Sequence, residues 1–143
     1  MRWSALIIAL LLSGAVVHSS SALTRIRGDM GGPLGRYLRM FAAIRDLGER
    51  VVIDGNCFSA CTLVIAMIPK ERIFITERAA LGFHAGWISR QSGRPVVNPE
   101  GTRLLYELYP LPIRRWITNQ GGLGAHTIIL KGRELASLYP YCQ

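Results

Sequence analysis

Residues Arg50–Asp54 read RVVID, an apolar run without polar alternation, and it stops at Gly55. A strand of this kind is buried on both faces, as in a parallel sheet with helices on either side. The next stretch, DGNCFSACTL (Asp54–Leu63), passes through a small-residue turn into a second apolar run. A strand that hands over to a helix in so few residues points to α/β architecture.

The rest of the chain fits that reading. Leu23–Arg27 alternates like a short strand, and Gly28–Gly35 carries four glycines and a proline, the composition of a loop. Apolar residues then recur at helical spacing over Tyr37–Leu47, with Gly48 placed to end the helix. Gly55–Phe58 reads as a turn and Ser59–Met67 as a helix. Arg72–Thr76 and Ala79–Ala85 read as strands. Trp87–Gly101 reads as a polar loop. Helices are expected at Glu100–Leu108, Leu111–Asn119 and Gly132–Leu138, and His126–Leu130 fits strand or helix equally. In the second of these helices and the approach to it, Tyr106, Tyr109 and Trp116 at helical spacing predict core positions. No internal repeat or low-complexity tract occurs.

The N-terminus carries a separate signal. Arg2 precedes a 13-residue apolar stretch, Ala5–Val17, and Ser20-Ser21-Ala22 offers small residues where a signal peptidase needs them. The stretch is shorter than the roughly 20 residues that span a bilayer. The expectation is a signal peptide over 1–22 and one domain over 23–143. The protein would be exported, periplasmic or secreted, or membrane-anchored if the signal is not cleaved. Length (143 residues) and a hydrophobic fraction of 50% suit one packed domain rather than a disordered chain. The net charge of +8 is spread singly and in pairs (Arg25, Arg27, Arg36, Arg39, Arg114, Arg115), without a basic run interleaved with aromatics. That argues against nucleic acid as a partner and leaves association with an acidic membrane surface open.

Ser59 stands where strand gives way to helix. A serine hydroxyl attacks a carbonyl only with a base in reach and donors for the developing oxyanion. The amide of Ala60 is one of the unsatisfied donors of a helix start, and an amide of Gly31 or Gly32 could supply a second from the Gly-rich loop. Of the three histidines, His18 lies in the signal segment, and only His84, rather than His126, closes a strand beside small residues. On the residues alone, Ser59 reads first as a helix cap and His84 as a structural histidine.

The stretch GGPLGRYLRMFAAIRDLGERVVIDGNCFSACTLVIAMIPKERIFITERAALGFHAG resembles the core of the Clp protease proteolytic subunit. It is more similar still to exported, uncharacterised bacterial proteins related to that subunit. Gly31-Gly32, VVIDG, Ser59-Ala60-Cys61, Arg72 and LGFHA follow the family's order, with 25 residues from Ser59 to His84. The resemblance implies a Clp-protease/crotonase-like α/β fold with a small, largely parallel sheet flanked by helices, trimmed of the strands that precede the Gly-Gly turn in the family. It implies Ser59 as nucleophile, His84 as base, and the amides of Gly31 and Ala60 as the oxyanion hole. The implied function is a serine hydrolase, a peptidase acting on peptide or protein substrates, with neither metal nor organic cofactor. Homo-oligomers stay open. The chain departs from the family at the triad acid: its aspartates, Asp29, Asp46 and Asp54, all precede His84. Glu100, Glu107, Glu134 and Asn119 are the later side chains weighed for that role. A Ser-His dyad or incomplete triad is one reading. A non-catalytic peptide-binding or envelope-interaction protein is the second, and an acyl-thioester enzyme of the crotonase kind the third.

Three cysteines, Cys57, Cys61 and Cys142, suit an oxidising compartment with one thiol left over. The expected bond joins Cys142 to Cys57 or Cys61, since a Cys57–Cys61 bond would strain a regular helix start. A Cys₃His zinc site with His84, and a cysteine nucleophile in place of Ser59, are the alternatives.

Overall fold

The computed structural model describes residues 22–91 and 93–143. The expected leader therefore lies outside the described residues up to Ser21, and so does His18. Among the described residues no helix is long and apolar enough to cross a membrane.

The chain opens with β1 (Leu23–Ile26), which leads through the glycine loop to α1 (Leu34–Asp46) and back into β2 (Arg50–Ile53). α1 ends as Gly48 predicts. Gly48, at φ +72°, donates to the Arg45 carbonyl and Glu49 donates to the Ile44 carbonyl, a Schellman closure. β2 pairs in parallel with β1 on one side and with β4 (Ile73–Ile75) on the other, so the order is β1-β2-β4. Val51, Val52 and Ile53 are fully buried, as their unbroken apolar run requires.

The residues after β2 depart from the expected turn and helix. Asn56–Phe58 is a strand, β3, and Ser59–Leu63 is a 3₁₀ turn that passes into a one-turn helix, α2 (Val64–Met67). β3 forms because both its edges find partners. It pairs in parallel with β5 (Ala80–Phe83) on one side. On the other, Asp29 N donates to the Asn56 carbonyl (2.7 Å) and Phe58 N donates to the Asp29 carbonyl (2.8 Å). The start of the glycine loop thus acts as an extra strand. Gly55 lets the chain cross here, since a β-carbon on it would lie 2.2 Å from the Arg27 carbonyl oxygen.

The expected polar loop instead holds a hairpin, β6 (Trp87–Ser89) with β7 (Pro95–Val97). Two helices follow, α3 (Pro99–Leu108) and α4 (Leu111–Asn119). Then come β8 (Ile128–Lys131), which resolves the ambiguous segment as a strand, and α5 (Gly132–Ala136). β8 pairs antiparallel with β5, giving a second sheet of order β3-β5-β8. The parallel pairing is thus shared between two small sheets. One core joins them: Phe41 of α1, Ile53, Leu63, Leu81, Phe83, Ile113, Ile117 and Leu130 are buried to 1% exposure or less. Tyr109 meets Phe83 edge to face there, and Trp116 lies tilted on the same ring.

A polar knot ties the first sheet. Asp54, just past β2, accepts from Thr76 Oγ1 (2.8 Å), Arg78 Nη2 (2.7 Å) and Arg25 Nη1 (3.1 Å). The Thr76 hydrogen bond leads, with Arg78 and Arg25 adding to it. Together they outweigh burial and hold the carboxyl at about 2.

Candidate active site

Asp29 sets the approach of the glycine loop. While its backbone pairs with β3, its Oδ1 accepts from the Gly31 amide (2.8 Å) and from the Tyr37 hydroxyl at the start of α1. Burial and that carboxylate push the Tyr37 hydroxyl up to about 12. Gly31 is delivered onto the Ser59 turn at φ +87°, where a β-carbon would meet Ser59 Cβ at 2.5 Å and Ala60 N at 2.9 Å.

Ser59 is the single non-glycine residue with positive φ (+56°) among the described residues. That region costs an ordinary side chain about 1–2 kcal/mol, and the surroundings enforce it. Thr62 Oγ1 donates to the Ser59 carbonyl (2.6 Å) and is itself 2.6 Å from the Tyr109 hydroxyl. Since Thr62 spends its one proton on Ser59, Tyr109 is the donor to Thr62. Burial pushes the Tyr109 hydroxyl up to about 12.

A disulfide completes the clamp, and it is Cys57–Cys61, with Cα atoms 5.2 Å apart. The expected bond from Cys142 to Cys57 or Cys61 is corrected: Cys142 is a free, half-buried thiol. The tail runs elsewhere. Tyr141 bridges Ile75 and Cys142 N donates to the Ile75 carbonyl, so the tail extends the β4 edge while Cys57 sits in the other sheet. The short bond fits because Ser59 at positive φ leads into a 3₁₀ turn in place of a regular α-helix start. The same bond removes Cys57 and Cys61 as thiolates, so the Cys₃His site and the cysteine nucleophile fall with it.

Ser59 and Ala60 open onto a cavity of about 260 Å³. Gly32, Pro33 and Leu34 form one wall, His84 to Trp87 another, and Asn98, Gly101, Leu105 and Tyr109 the third. His84, one residue past β5, thus faces the same space as Ser59. Its Nδ1 lies 2.7 Å from the Ala85 carbonyl oxygen and 2.9 Å from Trp87 Nε1. The Ser59 hydroxyl has no hydrogen-bond partner among the described residues; Ser59 is held through its carbonyl.

The two glycines of the loop separate in role. The Gly31 amide, expected as an oxyanion donor, is turned to Asp29. Gly32 lines the cavity, and its amide has no partner among the described residues. None of Glu100, Glu107, Glu134 or Asn119 lines the cavity; Glu107 instead pairs with Arg103 one helical turn away. The sequence reading missed Trp87, which it placed in a polar loop. It also missed Asn98, whose side chain caps α3 by accepting from the Gly101 amide (3.2 Å). Asn-Pro before an apolar periodic run was the available signal for that cap.

No family model matches the chain, and no curated protein does. Solved structures do. The chain is similar to a peptidase from Plasmodium falciparum, with a TM-score of 0.52 and 11% identity over 87% of this chain and 79% of that one. It is also similar to a ClpP1 mutant from Listeria monocytogenes, with a TM-score of 0.48 and 11% identity over 81% and 86%. The first likeness shows the fold alone: this chain shares the α/β architecture of that peptidase, the class that its sequence resemblance implies.

Proposed function

We propose that the chain is an exported serine hydrolase that cleaves peptide or protein substrates with a Ser59–His84 dyad. The observation that carries this reading is Ser59 itself, held at φ +56° on a strand-to-3₁₀ handover and sharing one cavity with His84. Strain of this kind persists where the surroundings over-determine it, and it clusters at functional sites.

In the proposed reaction Ser59 Oγ attacks the substrate carbonyl carbon while its proton passes to Nε2 of His84. The tetrahedral oxyanion is received by the amides of Gly32 and Ala60. His84 then returns the proton to the leaving amine, and water repeats the sequence on the acyl-enzyme. The Ala85 carbonyl, within 2.7 Å of Nδ1, orients the imidazole in place of the triad acid. A carbonyl brings no full charge to the imidazolium, so turnover is slow; removing the acid from a full triad costs about 10⁴ in kcat. The Cys57–Cys61 bond supports export, since such bonds persist in oxidising compartments.

Among the described residues no carboxylate lines the cavity, which favours a second reading, a peptide-binding protein that keeps the fold without turnover. Labelling with a fluorophosphonate separates the two. The hydrolase reading expects labelling of the wild type and none of Ser59→Ala. A folded wild type that neither labels nor hydrolyses peptide or ester substrates at any pH overturns it in favour of the binding protein.

A further inference from the structure

Two groups converge on one nitrogen of His84: the Ala85 carbonyl oxygen at 2.7 Å and the indole Nε1 of Trp87 at 2.9 Å, both from Nδ1. A carbonyl only accepts and an indole N–H only donates. A neutral imidazole therefore satisfies one of them at a time. With its proton on Nδ1 it donates to Ala85, and Nε2 carries a lone pair. With its proton on Nε2 it accepts from Trp87, and no lone pair is left for Ser59.

We propose that Trp87 is a positioning residue that opposes Ala85 for Nδ1 of His84, and that a substrate entering the cavity displaces the indole and shifts the ring to the Nδ1-protonated tautomer. In its kinetic consequence this rests on the reading of His84 as the base. The shift moves one proton from Nε2 to Nδ1 through solvent and needs no co-reactant.

The two competitors differ in freedom. Ala85 is fully buried and its amide donates to the Gly124 carbonyl (2.8 Å). Gly86 is held on both sides, its amide by Thr102 Oγ1 (3.0 Å) and its carbonyl by the Asn98 amide (2.8 Å). The carbonyl that favours the working tautomer is thus fixed. Trp87 begins a two-stranded hairpin and is 41% exposed. Its ring is tilted 51° to His84 with centroids 6.2 Å apart, so no stacking holds it in place. Its N–H can exchange Nδ1 for water whenever a ligand needs the space.

Nitrogen-15 NMR of the histidine ring reads the tautomer directly, whether or not the protein turns over. The protein is labelled at histidine, held in alkaline buffer where imidazoles are neutral, and the His84 signal is identified by its loss in His84→Gln. Trp87→Phe keeps a ring and removes the N–H. The expected result is a shift toward the Nδ1-protonated form, with the tautomer ratio changing about 3- to 10-fold, the scale of one net hydrogen bond. Trp87→Leu must give the same shift, because it removes the same N–H. An unchanged ratio in Trp87→Phe, or a shift in Trp87→Leu alone, overturns the proposal. Kinetics supply the second arm. If substrate displaces the indole, Trp87→Phe raises kcat/KM by the factor by which the Nδ1-protonated fraction rises, at most the change in the ratio, and leaves kcat unchanged, because only the free enzyme carries the competing tautomer. A rise in kcat alone overturns the displacement step. A tautomer shift in a protein without turnover leaves the Trp87–His84 competition standing and removes the hydrolase reading.

Discussion

Gly31 lies so close to Ser59 that a β-carbon added to it would stand 2.5 Å from the Ser59 β-carbon and 2.8 Å from the Phe58 carbonyl oxygen. The loop and the turn come from different parts of the chain, and the glycine is what lets them touch. The contact is made over backbone, which a rotamer change does not relieve.

Gly31→Ala is accordingly expected to destabilise the protein by about 2 kcal/mol or more, combining overpacking with the φ of +87°. Urea unfolding measures it. Gly32→Ala, where the nearest atom is the Tyr37 ring at 3.4 Å, should cost far less. Equal losses at the two positions would contradict the packing described.

Ser59 gives a second contrast. Its hydroxyl has no partner among the described residues and its backbone sits at φ +56°. Ser59→Ala should change stability by no more than about 0.5 kcal/mol. Ser59→Gly should stabilise by about 1 kcal/mol, because glycine takes the left-handed region without steric cost. Both should abolish fluorophosphonate labelling. A more stable glycine variant without labelling is the signature of strain kept for function; an alanine variant that unfolds would make Ser59 a structural residue.

The disulfide predicts a simple map. Trypsin cleavage after Arg50 and Lys70 leaves Cys57 and Cys61 on one peptide, which should be two hydrogens lighter than its reduced form, with Cys142 alone open to alkylation. Closing so short a loop contributes about 2 kcal/mol in the chain-entropy model. Cys57→Ala/Cys61→Ala should therefore fold, lose about that much stability, and lose more labelling than stability, because the bond spans Ser59. Alkylation of Cys57 or Cys61 without reductant would refute the pairing.

The fold was legible where burial is one-sided or complete. The apolar VVI of β2, the helical spacing of α1 and its Gly48 ending are local patterns, and they are found in place. Asn56–Phe58 was not legible as a strand, because what makes it one is Asp29, 27 residues earlier, pairing along its free edge. The Asp29 side chain takes the Gly31 amide two residues on, and Gly32 is the loop glycine that lines the cavity. Position at element ends singled out Ser59 and His84, the family resemblance paired them, and the two line one cavity. Trp87 was not singled out, since an exposed residue in a polar stretch gives no periodic signal of the hydrogen bond that its indole makes to His84, three residues before it. The Cys57–Cys61 bond depends on a positive φ at a serine, which propensity assigns to glycine or asparagine.

The last prediction concerns acid. Asp54 is held at about 2, below the ordinary value of 3.8, first by the Thr76 hydrogen bond and then by Arg78 and Arg25, against the opposing effect of burial. A carboxyl whose value is lower in the folded protein binds its proton more weakly there than in the unfolded chain. Its contribution to stability is therefore complete above about 4 and is lost as the pH falls through about 2. The ion pairs also join three elements, with Arg25 from β1, Asp54 after β2 and Arg78 after β4. Asp54→Asn should lower the urea midpoint at neutral pH, because it leaves two arginines without their partner. It should also flatten the fall in midpoint between pH 4 and pH 2 that the wild type shows. If the two midpoints instead fall in parallel across that window, Asp54 is not the group that titrates, and the knot beside β2 does not govern acid stability.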